Sequence, residues 1–246
     1  MSLAHVAHEP VLHTPGNCNC LQGDVTAQSV VAQHFIASLT AKPAAKIPYR
    51  HWLLSNVLPC FSARSVTELP FTPAEITETY GKRDTHNASR HFFNAEAQYR
   101  FPVCADIAGA FQSADVVETI EKICDVNLQG SYLRIEYCQD KEGFWLEPHT
   151  DIGVKLFTMV IYLTQGERSE DMGTDIYDPS LQYVGRAPSA FNSAIVFIPA
   201  ENTWHGFEKR PIPELRRSII VNYVKPEWRS RHELAFSNAP ISTEAD

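Results

Sequence analysis

Apolar residues first recur at a helical spacing between Asp24 and Ala41. Val30, Val31, Phe35, Ile36 and Leu39 fall near a period of about 3.6 residues, which predicts an amphipathic helix. Pro43 and Pro48 close it. Residues 49–71 carry Trp52, Leu53, Leu54, Val57, Leu58 and Phe61 without a clean helical period and read as irregular or strand-like. Thr72-Pro73-Ala74-Glu75 has the form of a helix start: a capping hydroxyl, a proline in the first turn and a glutamate at the third position. Gly81 can end that helix. Residues 82–104 are polar and then aromatic. A further helix is predicted from about Ser113 to Asp125, with Val116, Val117, Ile120, Ile123 and Cys124 inward.

After Gly130 the period changes to two. Leu133, Ile135 and Tyr137 alternate with Arg134 and Glu136, as in a half-buried strand. Lys155–Thr164 is apolar along nearly its whole length and reads as a buried strand. Thr174–Tyr177, Ala194–Ile198 and Arg216–Val224 follow, and Pro226-Glu227-Trp228 opens a short last helix. Helices come first and strands after, so the predicted class is α+β: one β-sandwich or barrel buttressed by N-terminal helices.

Composition narrows the function classes. The chain has 246 residues and is 44% hydrophobic, enough for a sizeable core. Lys and Arg number 21 against 29 Asp and Glu, a net charge of −8, which argues against a nucleic-acid partner. No apolar run is long enough to span a bilayer, and Met1–Pro10 lacks the features of a secretory signal. A cytoplasmic protein with reduced thiols is therefore expected. His5, His8, His13, Cys18 and Cys20 could be read as metal ligands, but their spacing matches no structural zinc pattern; the competing reading is a polar tail.

The chemistry concentrates in the strand-rich half. In His149-Thr150-Asp151, a two-residue step along a strand would put an imidazole and a carboxylate on one face. His205, after the apolar strand Ala194–Ile198, is the candidate third ligand. Two histidines and one carboxylate on one face of a metal leave positions open, the arrangement suited to non-haem Fe(II) with a bidentate co-substrate and O₂. Arg216 opens the last long strand with Ser218 two residues on. Alternation puts Arg216, Ser218, Ile220 and Asn222 on one face, and an arginine facing a cavity needs an anion. A one-residue slip would turn Arg217 inward instead.

The ordered set His149-x-Asp151, His205, Arg216-x-Ser218 resembles the Fe(II)/2-oxoglutarate-dependent oxygenases. Leu146-Glu147-Pro148-His149-Thr150-Asp151 looks like the prolyl 4-hydroxylase-like branch. The resemblance covers roughly residues 130–225. It implies a double-stranded β-helix (jelly-roll) core with N-terminal buttressing helices. Residues 1–22 would then form a flexible tail and 23–246 one oxygenase domain, with 23–129 mainly helical support, 130–225 the core, and 226–246 a C-terminal helix and tail. It further implies that His149, Asp151 and His205 hold Fe(II), and that Arg216, helped by Ser218, pairs with the distal carboxylate of 2-oxoglutarate. Tyr137 and Tyr162 resemble co-substrate hydrogen-bond donors; each also reads as a core residue with a satisfied hydroxyl. Asp171-Met172-Gly173-Thr174-Asp175 stands where the family often has a Gly-Gly pair, and here Gly173 is the only glycine.

The implied reaction hydroxylates an unactivated C–H of a small metabolite with O₂, decarboxylating 2-oxoglutarate to succinate. Val160, Ile220 and Phe197 would supply dry walls. Thr158, Val160 and Asn222 would line the substrate face. Arg83, His86, Arg90 and His91 form a polar cluster that could bind an anionic substrate or simply be solvated. Gln165–Met172 reads as a mobile loop able to act as a lid. The alternatives are a peptidyl side-chain hydroxylase of the same chemistry and a cupin-like metal-binding protein that is not an oxygenase.

Overall fold

The computed structural model describes residues 26–73, 81–82 and 90–243. Helix α1 (Ala27–Thr40) starts where the Thr26 side chain accepts the backbone N–H of Ser29, three residues later than the periodicity suggested. Strand β1 (His51–Ser55) follows. The stretch expected to stay irregular then folds into helix α2 (Cys60–Thr67), which presents Ser62, Ala63 and Val66 inward. The helix start at Thr72 runs into residues outside the described set.

Strand β2 (Arg90–Phe92) precedes three helices: α3 (Ala95–Arg100), α4 (Pro102–Gln112) and α5 (Ala114–Cys124). Asn94 caps α3 by accepting from Ala97, and Pro102 sits at the first turn of α4, where its missing N–H costs nothing. Helix α5 matches the predicted span and buries Val116, Val117, Ile120 and Cys124.

Seven of the remaining strands continue the chain: β3 (Tyr132–Asp140), β4 (Leu146–His149), β5 (Lys155–Tyr162), β6 (Asp175–Tyr177), β7 (Tyr183–Arg186), β8 (Ser193–Phe197) and β9 (His205–Phe207). Strand β10 (Arg216–Val224) completes the set. They form two antiparallel sheets, one of six strands in the order β1-β8-β5-β10-β3-β2 and one of four in the order β4-β9-β6-β7. The N-terminal half thus supplies both edge strands of the large sheet as well as helical support.

The large sheet is covered on both faces, and residue parity sorts them. Leu133, Ile135 and Tyr137 of β3, Phe157, Met159 and Ile161 of β5, and Ile219, Val221 and Tyr223 of β10 join α1, α4 and α5 in the main core. The Tyr223 hydroxyl donates to the Phe111 carbonyl of α4 at 2.5 Å, tying sheet to helix. The even-numbered residues of the same strands face the small sheet. Arg134 and Glu136, on this parity, are buried too.

The last segment departs from expectation. Pro226 and Glu227 form a turn, and only a single 3-10 turn, Arg231–Glu233, follows. The reason is a competing set of partners. Arg134 lies between the rings of Phe92 and Trp228, each 4.9 Å away, and donates to Glu233. The chain then bonds along β3 through Ala235 and Leu133.

Candidate functional site

A cavity opens between the sheets. From the large sheet it is lined by Arg90, Cys138, Asp140, Thr158, Val160 and Arg216, with Ile220 beside them. From the other side come His149, Asp151, Thr174, His205 and Phe207. All members of the ordered sequence set except Ser218 therefore line one space.

His149 and His205 face each other because β4 and β9 pair antiparallel with these two residues in register. Their ring centroids are 4.4 Å apart. The ladder is irregular between Leu146 and His149, where Pro148, lacking an N–H, sits on an edge strand. Each imidazole is aimed by its own backbone. His149 Nδ1 lies 2.8 Å from the Glu147 carbonyl, and His205 Nδ1 lies 2.9 Å from the Thr203 carbonyl. A carbonyl can only accept, so Nδ1 carries a proton in each ring, which reserves Nε2 as the nitrogen through which the neutral imidazole binds metal. Burial, and next the neighbouring His149, press the His205 imidazolium down to about 4, so that ring is neutral at physiological pH.

Asp151 lies beyond the end of β4, just before a turn at Gly153 and Val154, rather than two steps along a strand. It reaches the same cavity but is already engaged: Lys155 Nζ donates to Oδ1 at 2.5 Å, and Thr158 Oγ1 donates to Oδ2 at 2.6 Å. Accordingly, among the described residues no three His, Cys, Asp or Glu side chains are drawn together as a ready ligand set. The donors suit a divalent metal: two imidazoles, each with Nδ1 directed at a backbone carbonyl, and a carboxylate with a cation already at one oxygen.

Arg216, and not Arg217, turns into the cavity. The sequence argued that it needs an anion, and the structure supplies one from inside the protein. Asp140, directly opposite on β3, accepts from Arg216 Nη1 at 2.6 Å. Arg216 Nε donates to the Met172 carbonyl, and the guanidinium lies over the ring of Phe207. Ser218 is fully buried one ladder step further along the same face, and its hydroxyl has no hydrogen-bond partner. Asp140 Oδ1 is a second buried atom without one.

The two tyrosines separate. Tyr137 is an odd-numbered residue of β3, so it points into the helix-side core and not into the cavity. The expectation that it touches a co-substrate is corrected on that ground. Tyr162 is on the cavity side but one layer deeper. Its hydroxyl donates to Thr174 Oγ1 at 2.8 Å and accepts from the Thr174 N–H at 3.1 Å, so it is used up within the protein.

Among the substrate candidates, Val160 and Thr158 line the cavity, with the Thr158 proton committed to Asp151. Asn222 is fully buried and does not line it; both its N–H groups are spent, on Thr158 Oγ1 at 2.9 Å and the Phe157 carbonyl at 3.3 Å. Asn222 is therefore no substrate contact. Arg90 reaches the cavity from β2, with Nη1 2.6 Å from Cys138 Sγ and 3.5 Å from Glu136. Arg83 and His86 lie outside the described residues, as do the N-terminal histidines and cysteines. Phe197 packs on the other side of His205, with ring centroids 4.7 Å apart. The expected lid is anchored: Ser189 donates to the Ser169 and Glu170 carbonyls, and Met172 is buried beneath Arg216.

Sequence reasoning missed Lys155, Asp140, Cys138 and Arg134. Lys155 carried a signal, a charge four residues after Asp151. Asp140 carried none, because its meaning depends on the β3–β10 register.

No family model matches the chain, and no curated protein matches it in sequence. Solved structures do match. A prolyl 4-hydroxylase from Pseudomonas putida aligns with a TM-score of 0.52 and 13% identity over 79% of this chain and 98% of that one. A prolyl 4-hydroxylase from Phytophthora capsici aligns with a TM-score of 0.53 and 12% identity over 82% of this chain; the match spans 65% of that chain. The chain thus has the fold of these prolyl 4-hydroxylases, an α+β arrangement of helices on antiparallel sheet.

Proposed function

We propose that the protein is an Fe(II)- and 2-oxoglutarate-dependent oxygenase that hydroxylates an unactivated C–H of a small metabolite. The observation that carries this reading is the aiming of His149 and His205, each with Nδ1 held by the carbonyl two residues back, beside Asp151 and Arg216 in one cavity. On this reading the two sheets are the halves of a double-stranded β-helix, and His149, Asp151 and His205 hold the metal. Arg216, which lines the cavity, receives the distal carboxylate of 2-oxoglutarate, and the buried Ser218 hydroxyl lies behind the lining on the same strand face. When bound, metal and co-substrate supply O₂ activation coupled to loss of CO₂ and formation of succinate.

The chain's own residues then have definite tasks. The backbone carbonyls of Glu147 and Thr203 keep both imidazoles in the metal-binding tautomer. Val160 and Ile220, backed by Phe197, keep the cavity wall apolar. Arg90 adds a second positive charge at the cavity and is proposed to face substrate.

The test is anaerobic Co(II) titration, followed by succinate measurement with Fe(II), 2-oxoglutarate and O₂. Wild type should bind Co(II), and His149→Ala and Asp151→Ala should not. Retention of full Co(II) affinity in both variants would overturn the reading. Mass spectrometry of metabolite pools and peptide libraries for products heavier by one oxygen atom then decides between a small molecule and a peptide side chain.

A further inference from the structure

Asp151 stands at the end of a hydrogen-bond chain that crosses the large sheet. Arg134 on β3 donates through Nη1 to Asn222 Oδ1 at 3.3 Å. Asn222 on β10 donates through Nδ2 to Thr158 Oγ1 at 2.9 Å. Thr158 on β5 donates to Asp151 Oδ2 at 2.6 Å. The three strands are neighbours in the sheet, and Asn222 lies directly opposite both Arg134 and Thr158.

Donor and acceptor chemistry permits this chain to run in one direction only. A guanidinium has donors and no acceptor, so it must meet the oxygen of the Asn222 amide. The amide nitrogen then faces Thr158, whose oxygen accepts from it. The single hydroxyl proton of Thr158 goes to the carboxylate. The far end is held by several partners. Arg134 also donates to Glu136 at 2.8 Å and to Glu233 at 2.6 Å, and it lies over the rings of Phe92 and Trp228. Asn222 cannot flip without bringing its NH₂ group against a guanidinium.

We propose that Asn222 and Arg134 are positioning residues for the metal-binding carboxylate. Acting through Thr158, they hold Oδ2 of Asp151 and so present Oδ1 to a cation. Oδ1 is the oxygen that meets the Lys155 ammonium. This proposal rests on the metal reading above, and the experiment is arranged so that the two can fail separately.

The probe is anaerobic Co(II) titration of the full chain, with folding checked by circular dichroism. Thr158→Val keeps the shape and removes the proton donor. It should weaken Co(II) binding about 10–100-fold, the usual range for a lost partner behind a metal ligand, and Thr158→Ser should restore most of it. Asn222→Leu should weaken binding in the wild-type background and add nothing in the Thr158→Val background, because its effect runs through Thr158. An Asn222→Leu effect of equal size in both backgrounds would overturn the proposal. So would wild-type affinity in Thr158→Val while Asp151→Ala abolishes binding. If Asn222→Leu does not fold, Arg134→Lys takes its place in the same two backgrounds, and an effect of equal size in both overturns the proposal. Full Co(II) affinity in Asp151→Ala would overturn the metal reading and the proposal with it.

Discussion

Arg216 donates to the carboxylate of Asp140, the residue directly across from it on β3. Both side chains are buried, and both line the cavity. The pair neutralises a charge that would otherwise wait for a ligand. A dicarboxylate entering the cavity must therefore compete with Asp140 for the guanidinium. Asp140→Asn keeps the shape and removes the competitor. Without ligand it leaves Arg216 as an uncompensated buried charge, expected to destabilise by about 3 kcal/mol. For a chain of this size that lowers the melting temperature by roughly 6–12 °C. 2-Oxoglutarate should bind the variant more tightly than wild type and recover part of the loss. Thermal melts with and without 2-oxoglutarate check this; weaker binding in the variant would show that Asp140 helps the ligand instead.

The same logic applies to Lys155 at Asp151, with the charges reversed. The ammonium occupies the carboxylate oxygen that a metal would need. Lys155→Met removes a buried partner, so the metal-free protein should lose about 3–5 kcal/mol. Metal affinity should rise, because the Lys155 ammonium no longer has to be displaced. Chemical denaturation with and without Co(II) should show a larger metal-induced gain for the variant than for wild type. Equal gains would mean that Lys155 does not compete.

These two pairs show where sequence reading succeeds and stops. His149, Asp151, His205 and Arg216 could be picked out because each is a chemically distinctive residue at an ordered spacing. Alternation along β10 grouped Arg216 with Ser218, Ile220 and Asn222, but the choice between Arg216 and Arg217 waited on the register with β3, which turns Arg216 inward. Tyr137 was misplaced by the same rule: alternation says which residues share a face, but only the pairing of β3 with β10 says which face meets the helices. The alternation of Arg134 and Glu136 with apolar residues did not reveal their burial, because a binary pattern cannot tell water from a polar interior. Helix α2 was hidden by its weakly apolar sequence, Cys60–Thr67, and β9 by a length of three residues.

Gly173 is tied to the fold by space. A Cβ at this position would lie 1.9 Å from the Ala187 carbonyl oxygen, a backbone atom that cannot swing away. The next residue, Thr174, holds the Tyr162 hydroxyl and pairs with the Ala187 N–H. Gly173→Ala should therefore destabilise by about 1–3 kcal/mol through overpacking. It should also disturb the wall of the cavity near Arg216, whose partner Met172 is adjacent. A denaturant midpoint equal to that of wild type would show that the loop moves aside without penalty.

Cys104 and Cys124 give a prediction that involves no ligand. Burial pushes both thiols up to about 12. Cys60, in contrast, is exposed. Iodoacetamide at about pH 8 should modify Cys60 in the native protein and leave Cys104 and Cys124 untouched until it unfolds, since the thiolate is the nucleophile. The raised values also set a sign for stability. Below the unfolded thiol value of 9.0 both states are protonated and the thiols contribute no pH dependence. Above it the unfolded chain releases protons that the folded chain keeps, so stability falls as pH rises from about 9 toward about 12. A Cys104→Ala, Cys124→Ala double variant should lose part of that decline. Denaturant unfolding across the alkaline range measures it, and identical slopes for the two proteins would show that the buried thiols ionise without opening the fold.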